Sequence, residues 1–525
     1  MNLKRFVKVD HFSLSRKDFD KFALAAKGVD YLDSMHSFVY KKNLPTVFIR
    51  CIVRLRRPLS AVEMLGWIGQ REQGRRVNVP EGESVHWPLV TVVELYAPSH
   101  FSNLVTALKR NHWDRGFMGT GGYAVDKLRQ WRRSAATNSW IRLIDLNLPG
   151  SGYLYKPNLP AEFDYVKLRA FSLGASLTAV VAVIGLSPEI GEKITAIAKE
   201  VPKAKIVREH GYPVVWDSDR VTERAVEEYR DSIEEHAINW LSAKLPGLFS
   251  EGESRHMPVI SFMATEIADP SDELANDDVI RMLELGGFPA WRWTKDEAAI
   301  YLKTRIDAWN EHCGPRYVLS GKASNLAASK ITSDYGNSAS IDSVAWFVSD
   351  RLVPVMASRI ALDALLDKQR EDIGALHDQV HRMSSNPRAS SRLMRDAART
   401  VFADSTGSLA DIRKLAEDEF HYFYDLPTFE AFGEDADYLE ERQYSNFFAY
   451  MREQHRNQVV EIQSRQQSVR ELLELSATFN AELFMSRAQY VAIFIAVVSL
   501  VVALAALAVS VNDQSLVIVW FRSHF

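Results

Sequence analysis

The chain has 525 residues, 47% of them hydrophobic and 25% charged, which excludes a single small domain, a disordered chain, a collagen-like repeat and a membrane protein apolar throughout. Two cysteines, Cys51 and Cys313, exclude a disulfide framework and a four-thiolate zinc site, and read as buried thiols in a reducing compartment. The net charge of -4 conceals an asymmetry, because residues 1–135 hold 23 Lys or Arg against 12 Asp or Glu and the remainder is acidic. Such a basic front suits a surface for nucleic acid or anionic lipid, or mutual neutralisation of two parts of one fold.

The first ten residues mix charges with apolar positions and end in Asp10, so no cleaved secretory leader is predicted. Strands are expected at Thr46 to Leu55, Leu89 to Tyr96 and Trp140 to Asn147. Helices are expected at Ser60 to Gln70, Phe101 to Lys109, Ala124 to Arg133, and Pro188 to Glu200 after the Ser187-Pro188 start. The uncharged run Ala170 to Pro188 contains serines, Thr178 and Gly174 among valines, and reads as a hairpin rather than a membrane crossing. A long helix from about Val221 to Leu245, with Tyr229, Ile233, Ala237, Trp240 and Leu241 on one face, closes an α/β head over residues 1–245.

Residues 246–339 carry a strand at Pro258 to Ala264, amphipathic helices at Ser271 to Leu285 and Lys295 to Trp309, and a short strand at Tyr317 to Leu319. They continue the head or form a small subdomain, and residues 334–338 read as a loop. From residue 340 to 487 the pattern is helical, with Pro354 as a kink and helices at Arg392 to Phe402 and Ser408 to Tyr424. Leu362, Leu366, Gln369, Ile373, Leu376, Val380 and Met383 alternate steps of four and three, which is the seam of a coiled-coil-like hairpin. A last helix from about Tyr444 keeps heptad spacing through Val459, Ile462, Gln466, Val469, Leu473, Ser476, Asn480 and Leu483. Its polar seam residues, Gln466, Ser476 and Asn480, set register and partner number in a self-associating stalk, or lie on an intramolecular seam.

Ala488 to Val511 is uncharged over 24 residues, about 36 Å of helix, enough to cross a hydrocarbon core of about 30 Å. Arg465, Arg470 and Arg487 precede this segment and only Arg522 follows it, which predicts a single-pass protein of the cell (inner) membrane with its large N-terminal part cytoplasmic. The tail beyond it, residues 512–525, contains Leu516 to Phe521 and is too short to span. The expected fold class is therefore an α+β cytoplasmic domain with a mixed sheet, followed by a long-helix stalk and one C-terminal transmembrane helix. Membrane lipid and further copies of the chain are the expected partners.

Residues from about Ser340 to Val511 resemble the C-terminal architecture of the CorA-like metal-ion transporters, in which a helical hairpin precedes a long stalk helix that becomes the first crossing. The match is best at Glu471 to Leu483, where Asn480 stands in the place of the family's asparagine at the membrane entrance. The resemblance implies five chains around an axial pore, with magnesium or another divalent cation as the ion. The family's Gly-Met-Asn signature is absent, Val509 to Asp513 standing in its place, and no full second crossing follows.

Other motifs are weaker. His377 and His381 have the spacing of two zinc ligands on one helix face, but Asp378 replaces the glutamate of the metalloprotease pattern, and the pair reads as a solvated flank. Gly116, Gly119, Gly121 and Gly122 lack the ending of a phosphate-binding loop and read as a turn. The acidic residues between Glu430 and Glu441 offer oxygen ligands for hard cations but have the pattern of an ordinary exposed loop. Arg129, Arg132 and Arg133 with Trp131 form a candidate surface for nucleic acid or another anionic partner, with Lys109, Arg110, Arg115, Trp113 and Tyr123 nearby. No nucleophile elbow or kinase motif set occurs, so beside the cation conductor the readings are a non-enzymatic membrane-tethered sensor or effector whose basic head binds an anionic partner, and a tethered enzyme without a recognisable site.

Overall fold

A nine-stranded mixed sheet organises the head in the computed structural model. The structure describes residues 16–41, 46–71, 79–114, 122–134, 139–148, 159–174, 176–200, 202, 204–209, 212–251, 257–271, 278–285, 290–295, 298–305, 315–329, 340–383, 412–413, 429–431, 446–510 and 516–524. Two compact units divide the chain, one of Met1–Leu365 with Ala410–Arg456 and the other of Leu366–Leu409 with Asn457–Phe525.

The first unit opens with helices α1 (Arg16–Lys41) and α2 (Thr46–Arg71), paired as an antiparallel hairpin. The strand expected at Thr46 to Leu55 is therefore helix, and the helix expected from Ser60 is its continuation. Val47, Ile49, Ile52 and Val53 favour a strand by propensity alone, but Ile49, Ile52 and Leu59 recur at helical spacing and pack with Leu32 and Val39 of α1. Gly28 permits this approach, since a Cβ there would lie 3.1 Å from Leu59 Cδ1. Cys51 is exposed on α2, contrary to the expected buried thiol, because the buried side of the helix is occupied by Ile52. Cys313 lies outside the described residues.

In the sheet the order is β11 (Glu430–Ala431), β8 (Ala290–Lys295), β9 (Ala298–Arg305), β10 (Arg316–Lys322), β7 (Val259–Thr265), β1 (Val85–Tyr96), β4 (Leu177–Leu186), β3 (Phe163–Leu173), β2 (Trp140–Leu146). Only β10 and β7 pair in parallel among these neighbours. Residues 259–322 thus complete the sheet begun at β1. The predicted β3–β4 hairpin is present, with Gly174 at φ +75° in its turn. Every residue of β4 is buried, the continuous apolar pattern of a strand covered on both faces.

Helices α3 (Phe101–Arg110), α4 (Tyr123–Ser134), α5 (Pro188–Lys199) and α6 (Ser218–Lys244) match the expected segments, and α5 and α6 pack against β1. A two-stranded ribbon of β5 (Lys205–Glu209) and β6 (Tyr212–Trp216) contacts α2. Of the helix expected at residues 271–285, the described part is α7 (Asp278–Met282). The helix expected at Lys295 to Trp309 is instead strand over its described residues, the β8–β9 hairpin. Trp291, Trp293, Ile300 and Leu302 bury there, and sheet neighbours β10 and β11 satisfy the backbone. Short helix α8 (Ala323–Ala328) follows β10.

Beyond α9 (Ile341–Phe347), a π-turn over Val348–Leu352 leads into α10 (Val353–Met383). The cause is Pro354, which has no N–H to give to the Asp350 carbonyl four residues back and so widens the turn before it. The expected helices at 392–402 and 408–424 fall outside the described residues except Ile412 and Arg413, as do the 334–338 loop and the acidic segment after Ala431. Helix α11 (Phe447–Ser510) is continuous over 64 residues, and the tail forms α12 (Leu516–His524).

In the second unit, Leu366, Ile373 and Leu376 of α10 are buried, as are Val459, Ile462, Gln466 and Val469 of α11. Gln458 Nε2 donates to Asp367 Oδ1 at 3.3 Å, and Gly374 faces Arg465. The described positions of the heptad stripe are thus buried in the single chain as far as Val469.

Candidate functional site

The first turns of α11 are gripped by the head. Asn446 accepts the Ala449 N–H through Oδ1 at 2.9 Å, and the Phe447 N–H donates to the Phe429 carbonyl at 2.9 Å, so the helix start has partners for its otherwise orphaned donors. The Phe447 ring is buried among Trp291, Phe429 and Tyr317, with centroids 5.7, 6.5 and 6.4 Å away. Trp291 also meets Tyr450 at 5.5 Å. Aromatic groups at such separations hold one another in defined orientations, so the head fixes both the rotation and the axial position of this end of the helix.

One turn beyond Met451, His455 is wholly buried and neither ring nitrogen has a hydrogen-bond partner. Asp363 Oδ1 of α10 stands 3.8 Å from Nε2, too far for a hydrogen bond, and Asp363 accepts from the Tyr317 hydroxyl at 3.2 Å. Burial, reinforced by the Arg359 guanidinium, pushes the imidazole down to about 3, so it is neutral at physiological pH. The sequence signal for this group was its place four residues before Val459 on the heptad stripe.

A second buried acid lies near the end of β1. Glu94 accepts from the Leu95 and Phe249 amides at 2.9 and 2.8 Å through Oε1, while Oε2 is buried without a partner. Burial raises its carboxyl to about 7, against the lowering effect of those amides. Gly247 allows the 245–251 loop to close over it, since a Cβ there would lie 2.7 Å from Glu94 Cγ. The loop is tied down further by His100, whose Nε2 meets Glu251 Oε2 at 2.8 Å and whose Nδ1 meets Ser99 Oγ at 2.9 Å. Hydroxyl, imidazole and carboxylate stand in the order of an activated nucleophile. Here they join the start of α3 to the loop, the first contact being between chain neighbours.

Beneath α6 lies a buried ionic cluster. Glu234 accepts from Ser261 at 2.9 Å and faces Arg316 Nε at 3.2 Å and Arg305 Nη1 at 3.5 Å. Arg305 also reaches Asp231 at 2.6 Å, and Arg230 donates to the Leu283 carbonyl at 2.5 Å. Burial works to raise Glu234, but Arg316, Arg305 and Arg230 together with the Ser261 bond hold it below the usual carboxylate range. Arg230 and Glu234 are four apart on the face that carries Ile233, Ala237 and Leu241, so their interior position was available from helical spacing.

The basic residues singled out on α4 divide into two kinds. Trp131 is buried, and Arg132 donates to the Tyr96 and Ala97 carbonyls at 3.2 and 3.5 Å while lying 4.1 Å over the Phe101 ring. Trp113 is buried, and Arg110 reaches the Ala243 and Lys244 carbonyls at the end of α6. Arg129 and Arg133 are exposed, Arg129 beside Asp126 at 3.6 Å. Arg132→Ala is therefore expected to cost about 1–2 kcal/mol in a denaturant titration, while Arg129→Glu with Arg133→Glu changes stability by less than about 0.5 kcal/mol. Equal losses would remove the distinction between the two groups.

Phe484–Leu507 is a 24-residue stretch of α11 long and apolar enough to cross a membrane, and it is exposed throughout. Ser476 and Asn480 lie on the helix just before it, their side chains outside the described set, whereas Gln466 is buried lower on the helix. Glycines 116, 119 and 121 fall outside the described residues, and Gly122 precedes α4 at φ +84°. His377 and Asp378 are exposed, and among the described residues no group of three or more His, Cys, Asp or Glu is placed to hold a metal ion. No family model matches the chain, and no curated protein or solved structure matches it.

Proposed function

We propose that this chain is a membrane-anchored, self-associating protein that conducts divalent cations on a CorA-like plan, with its head in the cytoplasm and Phe484–Leu507 in the bilayer. The observation that carries the reading is α11. One uninterrupted helix begins in an aromatic cage of the head and carries an exposed, predominantly apolar 24-residue segment toward its end. A helix without Gly or Pro resists bending, so a displacement of its gripped end is transmitted along its length. Ser476 and Asn480, at the entrance to the apolar segment, are the residues assigned to the ion path, and magnesium is the first ion to test.

The test is reconstitution in proteoliposomes with an internal magnesium dye, alongside light scattering of the detergent-solubilised protein. A closed oligomer with flux is expected, and Asn480→Leu lowers that flux about tenfold or more at unchanged mass. A monomer, or an oligomer without flux for any divalent cation, overturns the reading. In the latter case a tethered sensor or effector takes its place. Arg129 and Arg133, exposed on α4, are then the residues through which the head would meet an anionic partner.

A further inference from the structure

The 245–251 loop after α6 is held to one short stretch of chain, residues 94–100. The Leu248 N–H donates to the Leu95 carbonyl at 2.8 Å, the Phe249 N–H to Glu94 Oε1 at 2.8 Å and the Tyr96 hydroxyl to the Leu245 carbonyl at 2.6 Å, while Glu251 meets His100. Ser250 Oγ accepts the Gly247 N–H at 2.7 Å and donates to the Gly247 carbonyl at 3.0 Å, which braces residues 247–250 as one unit. Upstream the chain is fixed, since Arg110 and Asn111 at the end of α3 donate to the Ala243 and Lys244 carbonyls that close α6. The part able to lift therefore begins at Gly247.

Glu94 lies beneath that unit. Its Oε1 takes both amide bonds, whereas Oε2 is buried with no partner, an arrangement that becomes more costly when the group carries a charge. Gly247 packs directly on the Glu94 side chain and keeps water from it. Among the described residues no cation neutralises it either. Val180 of β4 stands opposite, Arg132 of α4 is turned to the Tyr96 and Ala97 carbonyls, and His100 at the start of α3 faces Glu251. Tyr96, on the same strand, is the one ionisable group that interacts with the carboxyl, and burial together with the Glu94 charge holds its phenol neutral. We infer that Glu94 is a proton-operated latch: with the carboxyl neutral the 247–251 segment closes over the end of β1, and with it ionised the segment lifts and water reaches both oxygens. The latch lies wholly within the head and is independent of cation flux.

The direction of the pH effect follows from the two environments. Glu94 titrates near 7 when covered and returns to its ordinary 4.5 when hydrated, so the closed form holds an extra proton between those values. Closure is fully favoured below 4.5 and weakens by up to about tenfold per pH unit until the covered carboxyl itself ionises near 7. Hydrogen exchange of the full chain, read by mass spectrometry and corrected for intrinsic exchange at each pH, measures this. Protection of a peptide spanning 245–251 is expected to fall on the order of 50-fold between pH 5 and 8, while a peptide from β4 keeps its protection. Glu94→Gln retains an acceptor for the two amides and cannot ionise, so it removes the pH step and leaves the loop protected throughout. Gly247→Ala, whose methyl would meet Glu94 and the Leu95 carbonyl, removes the step with the loop unprotected throughout. A flat profile in the native chain, a loss shared equally by β4, or a step that survives in Glu94→Gln overturns the inference. A step abolished by His100→Gln but not by Glu94→Gln overturns it in favour of the His100–Glu251 pair.

Discussion

Glu234→Gln is expected to destabilise the head by about 3 kcal/mol, the cost of leaving the buried Arg316 guanidinium without its carboxylate. The glutamine amide retains the shape of the side chain and an acceptor for the Ser261 hydroxyl. It does not retain the negative charge that Arg316 and Arg305 share at 3.2 and 3.5 Å. With Glu234 neutral, buried Arg316 loses the carboxylate at its Nε, while Arg305 keeps Asp231 and Glu284 and Arg230 keeps Glu284. Ser261→Ala, which removes one neutral donor to the same carboxylate, is expected to cost only about 1 kcal/mol. Urea titration followed by tryptophan fluorescence measures both. A Glu234→Gln loss under about 1 kcal/mol would mean that the cluster is hydrated and of little consequence to the fold.

The second large effect is on pH dependence, where Glu94 and His455 act in opposite directions. Glu94 titrates near 7 folded against 4.5 in the unfolded chain, so its contribution is fully present below 4.5 and is lost as pH rises through about 7. His455 titrates near 3 folded against 6.5 unfolded, so its contribution is complete above 6.5 and is lost as pH falls toward 3. Between 4.5 and 6.5 the two largely offset one another in the native protein. Glu94→Gln should therefore gain stability relative to the native chain as pH rises through this window, and His455→Leu should lose it, each by up to about 1.4 kcal/mol per pH unit. Denaturant midpoints at pH 4.5, 5.5 and 6.5 measure the two slopes. Parallel curves for the native chain and either variant would show that the corresponding group is solvated.

These two groups also illustrate what a linear reading misses. Glu94 stands in the run LVTVVELY, where a single acid reads as the polar position of an alternating strand. It is buried because the loop that supplies the Phe249 amide returns 155 residues later. His455 carries no motif at all, and its environment is made by Arg359 and Asp363 on a different helix. The basic cluster on α4 was legible as composition, but the role of Arg132 depends on the carbonyls of Tyr96 and Ala97, which only the packing of α4 beside the end of β1 brings within reach.

The features determined by sequence alone are those whose physics is local. The helix through the uncharged run as far as Ser510, the Gly174 turn between two apolar strands and the Ser187-Pro188 start of α5 each need only their immediate neighbours, and each is present in the structure as expected. Tertiary structure decided the rest. Residues 46–55 have β-branched side chains suited to a strand, yet burial against Leu32 and Val39 makes them helix. Residues 298–305 carry a pattern readable as helix, yet β10 offers their backbone a ladder and makes them strand. In both places the local preferences amount to tenths of a kcal/mol per residue, and the burial of several large side chains against a distant partner exceeds them.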